Sequence, residues 1–330
     1  MMPYALEKLF CKALFLAVSL TALSAALLTP QLLSGAASPS LSESLSAMNE
    51  PPNVTSYADK SPEQRLERAI ELFYKSNWEA SESLLNELQK EKPDDPTVFF
   101  FDSMMPFWAY FFAGERPADA QRFLERSEQA IDVSEKRLNA SRNDTSAVLL
   151  LSGLHGYRSL VAANEREYRT AIRSAMTGFN YTRQLLSLDS DDPNAQMGRG
   201  VFNYMMGTIP KEVRWIVSFS GMSGDRETGY AQLEAAAEAD SYVSNDALMI
   251  LSYLYLRDGE YENALRTSRK LIEKFPENVI FHYYEARSLE QLRRHDEARH
   301  AYEKVVELQN PHLEHLHEQA EQRLRSLSAR

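Results

Sequence analysis

The sequence is poor in cysteine and glycine, with one cysteine, Cys11, and twelve glycines among 330 residues. So few glycines argue against an all-β or a Rossmann-like protein. Removal of residues 1–36 would leave no cysteine at all. A chain processed in that way cannot use disulfides, thiolate metal ligands or a cysteine nucleophile.

Clustered positive charge is also missing. No basic run is longer than Arg293-Arg294, and the net charge is −11. Nucleic acids and anionic membrane surfaces need clustered lysine and arginine for binding, so the composition disfavours both as main partners.

The usual catalytic signatures are absent from the sequence. It contains no Gly-x-Ser-x-Gly elbow, phosphate-binding loop or His-Glu-x-x-His helix. His312, His315 and His317 lie near the C-terminus, and we assign them to a polar capping helix in preference to a metal site. We therefore predict no catalytic residues, no cofactor and no metal.

An enzyme remains a competing hypothesis, with a site assembled from distant polar residues. Its candidates are His155, Asn203, Arg214 and Asp225. This hypothesis requires His155 to lie within hydrogen-bond reach of a carboxylate in a cleft. Otherwise His155 is a core histidine, and Asp225 caps a helix.

What the sequence does contain is a spacing of 34 residues. Corresponding positions of two units lie at that distance: Gly259, Tyr261, Ala264 and Pro276 are followed by Arg293, His295, Ala298 and Asn310. This period, with a small residue where two helices cross and a helix breaker near the end of each unit, is typical of a helix–turn–helix solenoid. Residues 62–95 fit the same frame, and all three units resemble tetratricopeptide repeats.

The predicted fold is an all-α, tetratricopeptide-like solenoid of helical hairpins with an enlarged, irregular helical middle. We place one repeat at residues 61–96, irregular helical repeats at 97–244, two repeats at 245–310 and a capping helix at 311–330. The helices expected in the middle are Val98–Ala113, Ala118–Asn139, Thr145–Asn164, Glu167–Leu188, Asn194–Thr208, Lys211–Ser220 and Arg226–Ala239.

The N-terminal segment predicts export. Lys8 and Lys12 precede an apolar run at residues 13–28, and small residues follow at 34–37. This order is typical of a signal peptide, which we place at residues 1–36 with a polar linker at 37–60. The alternative is an uncleaved membrane anchor over residues 13–33. An exported protein without cysteine suits a bacterial periplasm, so we expect a periplasmic location.

Residues 99–112 hold eight aromatic side chains in fourteen positions. A helix that is apolar all round is buried on several sides, which favours a central core helix. The alternative is a groove for an apolar small molecule or a lipid. Its lining would be Phe101, Trp108, Asn203, Arg214 and Trp215.

Residues 198–233 carry a second unusual pattern. A Gly-x-Phe-Asn helix begins at Gly200, Pro210 and a short apolar segment follow, and Gly221–Arg226 forms a glycine-x-x-glycine-aspartate-arginine turn. This order resembles the helical-repeat family that includes the yeast mitochondrial outer-membrane inclusion-body clearance protein and its animal tetratricopeptide relatives. The resemblance implies an organising or adaptor role without catalytic residues. The predicted signal peptide departs from that family.

The preferred functional hypothesis is a non-catalytic scaffold for a protein or peptide partner. First helices of the repeats would form a concave surface, with candidate contact residues Tyr253, Tyr283, Tyr284, Arg287 and Glu290. An acidic groove on this acidic chain would favour a basic partner. If these residues face the partner, replacing Tyr283 and Arg287 together by alanine should weaken capture without loss of stability.

Overall fold

The computed structural model describes residues 60–114, 116–188, 193–208, 224–239, 243–308 and 310–328. Within these ranges the regular structure is helical and no β-strand occurs, so the all-α fold class is confirmed. None of the helices there is long and apolar enough to cross a membrane. The predicted signal peptide, residues 37–59 of the linker and the expected helix Lys211–Ser220 lie outside the described ranges.

Helices that follow one another in the chain pack as neighbours. The α-helices are α1 (Pro62–Tyr74), α2 (Trp78–Glu91), α3 (Pro96–Ala113), α4 (Pro117–Ala140), α5 (Thr145–Asn164), α6 (Tyr168–Ser187), α7 (Pro193–Thr208), α8 (Arg226–Ala237), α9 (Val243–Asp258), α10 (Tyr261–Lys274), α11 (Val279–Gln291), α12 (His295–Glu307) and α13 (Glu314–Ser328), with a 3₁₀ turn at Pro311–Leu313. Both α1 and α3 begin at a side-chain cap followed by proline, Ser61-Pro62 and Asp95-Pro96.

Four hairpins share one turn geometry: α1–α2, α5–α6, α9–α10 and α11–α12. In each, a residue with positive φ ends the first helix: Ser76 (60°), Arg166 (64°), Gly259 (83°) and Arg293 (60°). The next amide donates to the carbonyl five residues earlier, at 2.9, 2.6, 2.8 and 3.0 Å respectively. This bond closes a helix C-terminus in the left-handed conformation.

The hairpin α5–α6 is a repeat unit that the spacing of 34 does not reveal. Its two helices have 20 residues each, longer than the 14 of α10. They cross closely at Gly178, where an added Cβ would lie 3.2 Å from the Gly156 nitrogen. The irregular middle therefore contains an enlarged version of the flanking units.

Helices α7 and α8 cross at glycines on both sides. A Cβ at Gly229 would lie 2.3 Å from the Tyr204 nitrogen, and a Cβ at Gly207 would lie 2.2 Å from the Arg226 nitrogen. Any larger side chain would force the two backbones apart. The close packing offsets the cost of about 1 kcal/mol that each helical glycine carries relative to alanine.

The aromatic helix α3 is the centre of the core. Sixteen of its 18 residues are buried, as the core-helix interpretation predicts. Its rings contact five other helices: Phe101–Phe73 of α1 at 5.5 Å between ring centroids, Phe107–Phe123 of α4 at 5.2 Å, Phe107–Tyr157 of α5 at 4.3 Å, Phe111–Tyr253 of α9 at 5.3 Å and Trp108–Phe281 of α11 at 6.2 Å.

Helix α3 continues through Pro106, which cannot donate a backbone hydrogen bond. The acceptor that loses its helical partner is the carbonyl of Asp102, four residues earlier. Arg126 of α4 donates to this carbonyl at 3.2 Å and to the Asp102 carboxylate at 2.9 Å. A side chain of the next helix thus replaces the bond that proline removes.

Residues 74–116 contact residues about 200 positions later in the chain. Four side-chain amides or guanidinium groups make these contacts: Asn278 to the Tyr74 carbonyl at 2.6 Å, Asn310 to the Ser76 carbonyl at 2.8 Å, Arg116 to the His312 carbonyl at 2.9 Å and Gln319 to the Ala113 carbonyl at 3.2 Å. The first helices α9 and α11, which the sequence analysis places on a concave surface, contact α3 through Tyr253 and Phe281. The ends of the repeat array meet around α3.

Asp246 of α9 belongs to this closure. Its carboxyl is 0% exposed and accepts a hydrogen bond from the Tyr74 hydroxyl of α1. Burial raises the pKa of Asp246 well above its usual range, although the Tyr74 hydroxyl lowers it in part. Its second oxygen has no hydrogen-bond partner among the described residues.

We predict that Arg293→Gly stabilises the protein. Arg293 has a φ of 60°, and this conformation costs a non-glycine residue roughly 1–2 kcal/mol. Relief of that strain should raise the urea midpoint of unfolding. The gain in stability is reduced by the additional backbone entropy that glycine loses on folding. Arg294→Gly is the matched control. Its φ is −85°, so it should not stabilise.

We also predict a pH dependence from Asp246. Its raised pKa means that the folded state holds a proton that the unfolded chain releases above pH of about 4. The free energy of unfolding should therefore fall as pH rises from about 4 towards the folded-state pKa, by at most about 1.4 kcal/mol per unit. Asp246→Asn should flatten this decline in urea titrations at pH 4 to 8. If the free energy of unfolding falls with pH as steeply in Asp246→Asn as in the parent, the assignment to Asp246 is wrong. A changed slope in Asp296→Asn, at an exposed position, would also contradict it.

Candidate functional site

A cavity of about 550 Å³ lies at the C-terminal end of α3. We call it the aromatic cavity, and its walls are Phe111, Phe112, Ala113, Gly114, Tyr253, Leu256, Arg257, Tyr283, Tyr284, Arg287 and Gln319. They come from α3, α9, α11 and α13, and the volume is within the range of about 300–1,000 Å³ typical of ligand pockets. The site exists because the ends of the repeat array meet here.

The structure brings four of the five sequence-predicted contact residues together on these walls, namely Tyr253, Tyr283, Tyr284 and Arg287. Glu290 is the exception. It accepts a hydrogen bond from Tyr302 at 2.8 Å and lies 3.4 Å from Arg323 of α13. One helical turn beyond Arg287, Glu290 therefore holds α12 and α13 in place.

Tyr283 and Tyr284 are more buried than a surface contact residue would be, at 6% and 7% exposed. The Tyr283 hydroxyl donates to Gln319 at 2.7 Å, and the Gln319 amide donates to the carbonyl of Ala113 at 3.2 Å. This chain of bonds joins α11, α13 and the end of α3. The two tyrosines support the cavity and present only part of their surface to it.

Each of the two first helices, α9 and α11, contributes a tyrosine and an arginine four residues apart. The Arg257 guanidinium lies 5.9 Å from the Tyr253 ring centroid, and the Arg287 guanidinium lies 5.9 Å from the Tyr283 ring centroid. Residues four apart share a helix face, and a cation over an aromatic ring gains about 0.5–1 kcal/mol at exposed sites. The sequence analysis missed Arg257, although this spacing was visible.

A cluster of hydroxyl groups behind the cavity orients Arg257. Asp258 accepts from Tyr204 at 2.6 Å and from Tyr230 at 2.9 Å, and Arg257 lies 3.5 Å from the same carboxylate. Arg257 also donates to the Tyr204 hydroxyl. Burial raises the pKa of Tyr204 to about 12, so the hydroxyl remains protonated and donates to Asp258.

Among the described residues, the walls carry positive charge and no carboxylate. Arg257 and Arg287 are their charged residues, although the whole chain has a net charge of −11. The expected acidic groove is therefore not found here, and the argument for a basic partner does not apply to this cavity. Four glutamates, Glu125, Glu128, Glu165 and Glu167, do line a separate cavity of about 450 Å³ beside α4.

The described residues predicted for the alternative lipid groove, Phe101, Trp108 and Asn203, do not line the aromatic cavity. Phe101 and Trp108 are 0% exposed and pack within the core. Asn203 donates to Gln232 of α8 at 2.8 Å, while Arg214 and Trp215 lie outside the described residues. Phe111 and Phe112, one turn beyond Trp108, supply the aromatic walls instead.

Of the candidates of the enzyme hypothesis, His155, Asn203 and Asp225 lie in the described ranges and Arg214 does not. Burial lowers the pKa of His155 to about 4, with a smaller effect from Arg158. Its ring lies 5.8 Å from that of Tyr181, and neither ring nitrogen has a hydrogen-bond partner among the described residues. Asp225 caps α8 by accepting from the Thr228 amide at 2.8 Å. The required contact between His155 and a carboxylate is missing from the described part of the chain.

The C-terminal histidines serve packing. His317 contacts the carbonyl of Leu308 at 2.9 Å, and His312 lies with its ring 6.0 Å from Trp78. His315 packs against Gly114, where a Cβ would lie 2.8 Å from its ring. In the described ranges no group of histidine, cysteine and acidic side chains has the arrangement of a metal site.

Helical hairpins with a common turn, small residues at their crossings and a 34-residue period define a tetratricopeptide-like solenoid. Proteins of this class generally bind other proteins and are generally non-catalytic. Residues 192–321 match the family described as Iml2/Tetratricopeptide repeat protein 39. The resemblance identified from the glycine-rich pattern is thereby confirmed. The matched range includes α7 to α12 and the start of α13. It therefore includes three of the four helices that line the cavity, α9, α11 and α13.

We predict that Tyr283 is required for stability, contrary to the expectation from sequence. Tyr283→Ala removes a buried ring and should lower the free energy of unfolding by on the order of 3 kcal/mol. Tyr283→Phe loses only the hydrogen bond to Gln319 and should cost about 1 kcal/mol. Urea unfolding of both variants provides the test. An unchanged midpoint for Tyr283→Ala would mean that this side chain is not part of the core.

Proposed function

We propose that the protein is an exported, non-catalytic scaffold of the cell envelope that binds a protein partner at the aromatic cavity. The observation that carries the proposal is the position of this cavity. It lies where α3 ends, so that the first helices α9 and α11 are no longer covered and four predicted contact residues meet. Binding of protein partners is the general role of this class of fold.

The walls have the composition of a recognition site. Phe111, Phe112 and Leu256 provide apolar surface, and Arg257, Arg287 and Gln319 provide hydrogen-bond donors. Aromatic residues and arginine are enriched at the centres of protein interfaces, where they contribute most of the binding energy. Because the chain's own contacts fix these side chains, a partner would lose little free energy in ordering them.

The non-catalytic part of the proposal rests on the chemistry of the walls. The wall residues that the structure describes include neither a histidine nor a carboxylate, so they offer no ordinary pair of groups for proton transfer. Export rests on the N-terminal sequence, in which basic residues, an apolar run and small residues follow in the order of a signal peptide.

We predict that a protein partner crosslinks to the cavity in intact cells. A photo-reactive phenylalanine analogue would replace Leu256 on the wall, and the control would carry it at Met176, which is 66% exposed on α6. One protein should be captured from Leu256 and not from Met176, and Arg287→Gln should reduce its yield. Mass spectrometry would identify this partner. It would also determine the N-terminus of the scaffold chain in the crosslinked product, which we expect to follow residue 36 or 37.

Two results would contradict the proposal. Capture of the same proteins from both positions would show that the cavity is not the binding site. No protein captured at Leu256, although the variant folds as the parent does, would show that the cavity does not hold a protein. If the captured chain begins at residue 1, the N-terminal segment is an uncleaved anchor and not a cleaved signal peptide.

A further inference from the structure

The charge of the aromatic cavity is opposite to that of the chain. Arg257 and Arg287 are the charged residues among the described walls, while aspartate and glutamate exceed lysine and arginine by eleven over the whole sequence. Non-specific attraction of anions to this protein is therefore weak. An anionic group that binds here must be recognised locally, by hydrogen bonds from the guanidinium groups.

The Arg287 guanidinium has hydrogen-bond donors that a ligand can use. Its guanidinium lies over the Tyr283 ring at 5.9 Å, and no carboxylate of a described residue forms an ion pair with it. A guanidinium has five N–H donors in a planar fork, which matches the two oxygens of a carboxylate. The Tyr283 ring limits the positions open to the arginine, so that less rotamer freedom is lost on binding.

Arg257 is only partly neutralised. Its nearest carboxylate, Asp258, lies 3.5 Å away and already accepts hydrogen bonds from Tyr204 and Tyr230. Asp258 therefore fixes the position of Arg257 without fully using its donors. The cavity has one arginine on α9 and one on α11, with the aromatic walls beside them.

The apolar walls limit the class of anion. Phe111, Phe112 and Leu256 offer surface for an aromatic or aliphatic group next to the charged one. The hydroxyl of Tyr283 and the amide of Gln319, which are bonded to each other, lie on the same walls. Mixed polar and apolar walls suit a peptide, whereas a lipid chain needs a lining that is apolar throughout.

We propose that the cavity recognises an acidic segment of the partner, in which a glutamate or aspartate adjoins an aromatic or aliphatic residue. The carboxylate binds Arg287 in a bidentate manner with support from Arg257, and the adjoining side chain packs against Phe111 and Leu256. This inference rests on the proposed function, because it names the chemistry of the segment that the scaffold holds.

The test uses three peptides with acetylated and amidated ends, so that no terminal charge contributes. Their sequences are Ser-Glu-Phe-Glu-Ser, Ser-Gln-Phe-Gln-Ser and Ser-Lys-Phe-Lys-Ser, and binding to the purified protein is measured by titration calorimetry. We expect the acidic peptide to bind at least tenfold more tightly than the glutamine peptide. Its affinity should fall as sodium chloride increases, because salt screens exposed charges.

Variants of the arginines locate the interaction. Arg287→Gln should weaken binding of the acidic peptide at least tenfold, and Arg287→Lys should weaken it less, because lysine keeps the charge but not the planar fork. Arg266→Gln removes an exposed charge of α10 that is not on the walls of the aromatic cavity. This control should bind as the parent does. Circular dichroism would verify that all three variants fold.

Several outcomes would overturn the inference. Equal binding of the glutamine peptide would show that the carboxylates do not contribute, and preference for the lysine peptide would reverse the assigned chemistry. Binding of laurate without binding of the acidic peptide would assign the cavity to a fatty acid. If a partner crosslinks at Leu256 but the acidic peptide does not bind, the inference of an acidic segment is wrong and the proposal of a scaffold is retained. If the acidic peptide binds but no partner crosslinks at Leu256, the scaffold proposal is wrong, whereas recognition of an acidic segment by the cavity is retained.

Discussion

The structure depends on one constraint, the burial of a helix that is apolar on every side. An amphipathic helix can be satisfied by one neighbour, but α3 exposes aromatic surface in all directions unless several helices surround it. Burial of aromatic side chains is the largest single source of hydrophobic free energy in such a core. The repeats therefore curve around α3, and the helices that a solenoid would present to a partner contact this helix instead. Phe101 and Trp108 are at the centre of that packing.

Much of the fold was predictable because its local features leave strong sequence patterns. Six of the seven helices expected in the middle occur within a few residues of their predicted bounds, and the seventh lies outside the described ranges. The turn at Gly259 was visible as a glycine. Those at Ser76 and Arg166 were not, because residues with a Cβ adopt the same left-handed conformation there when the surrounding hairpin enforces it.

The site was predictable only in part, for a physical reason. Tyr253, Tyr283, Tyr284 and Arg287 flank the buried stripe of their own helices, so helical periodicity alone identifies them. Phe111 and Gln319 become wall residues because α3 and α13 meet, which depends on contacts between distant parts of the chain. Periodicity also cannot tell a side chain that faces a partner from one that faces another helix. For that reason Glu290 was assigned to partner contact although it pairs with Tyr302 and Arg323 within the protein.

The hydrogen bonds from Asn278 and Asn310 to the first hairpin have a consequence for folding. In a linear repeat array each unit contacts only its neighbours, so folding can start anywhere and spread, and units can be added or removed. Here the first hairpin reaches these partners only after Asn278 and Asn310 have been made, more than 200 residues later. Contacts of such long sequence separation slow folding, because the loop must close before they contribute. We expect this protein to unfold as one cooperative unit and to lose that cooperativity on insertion of a further repeat.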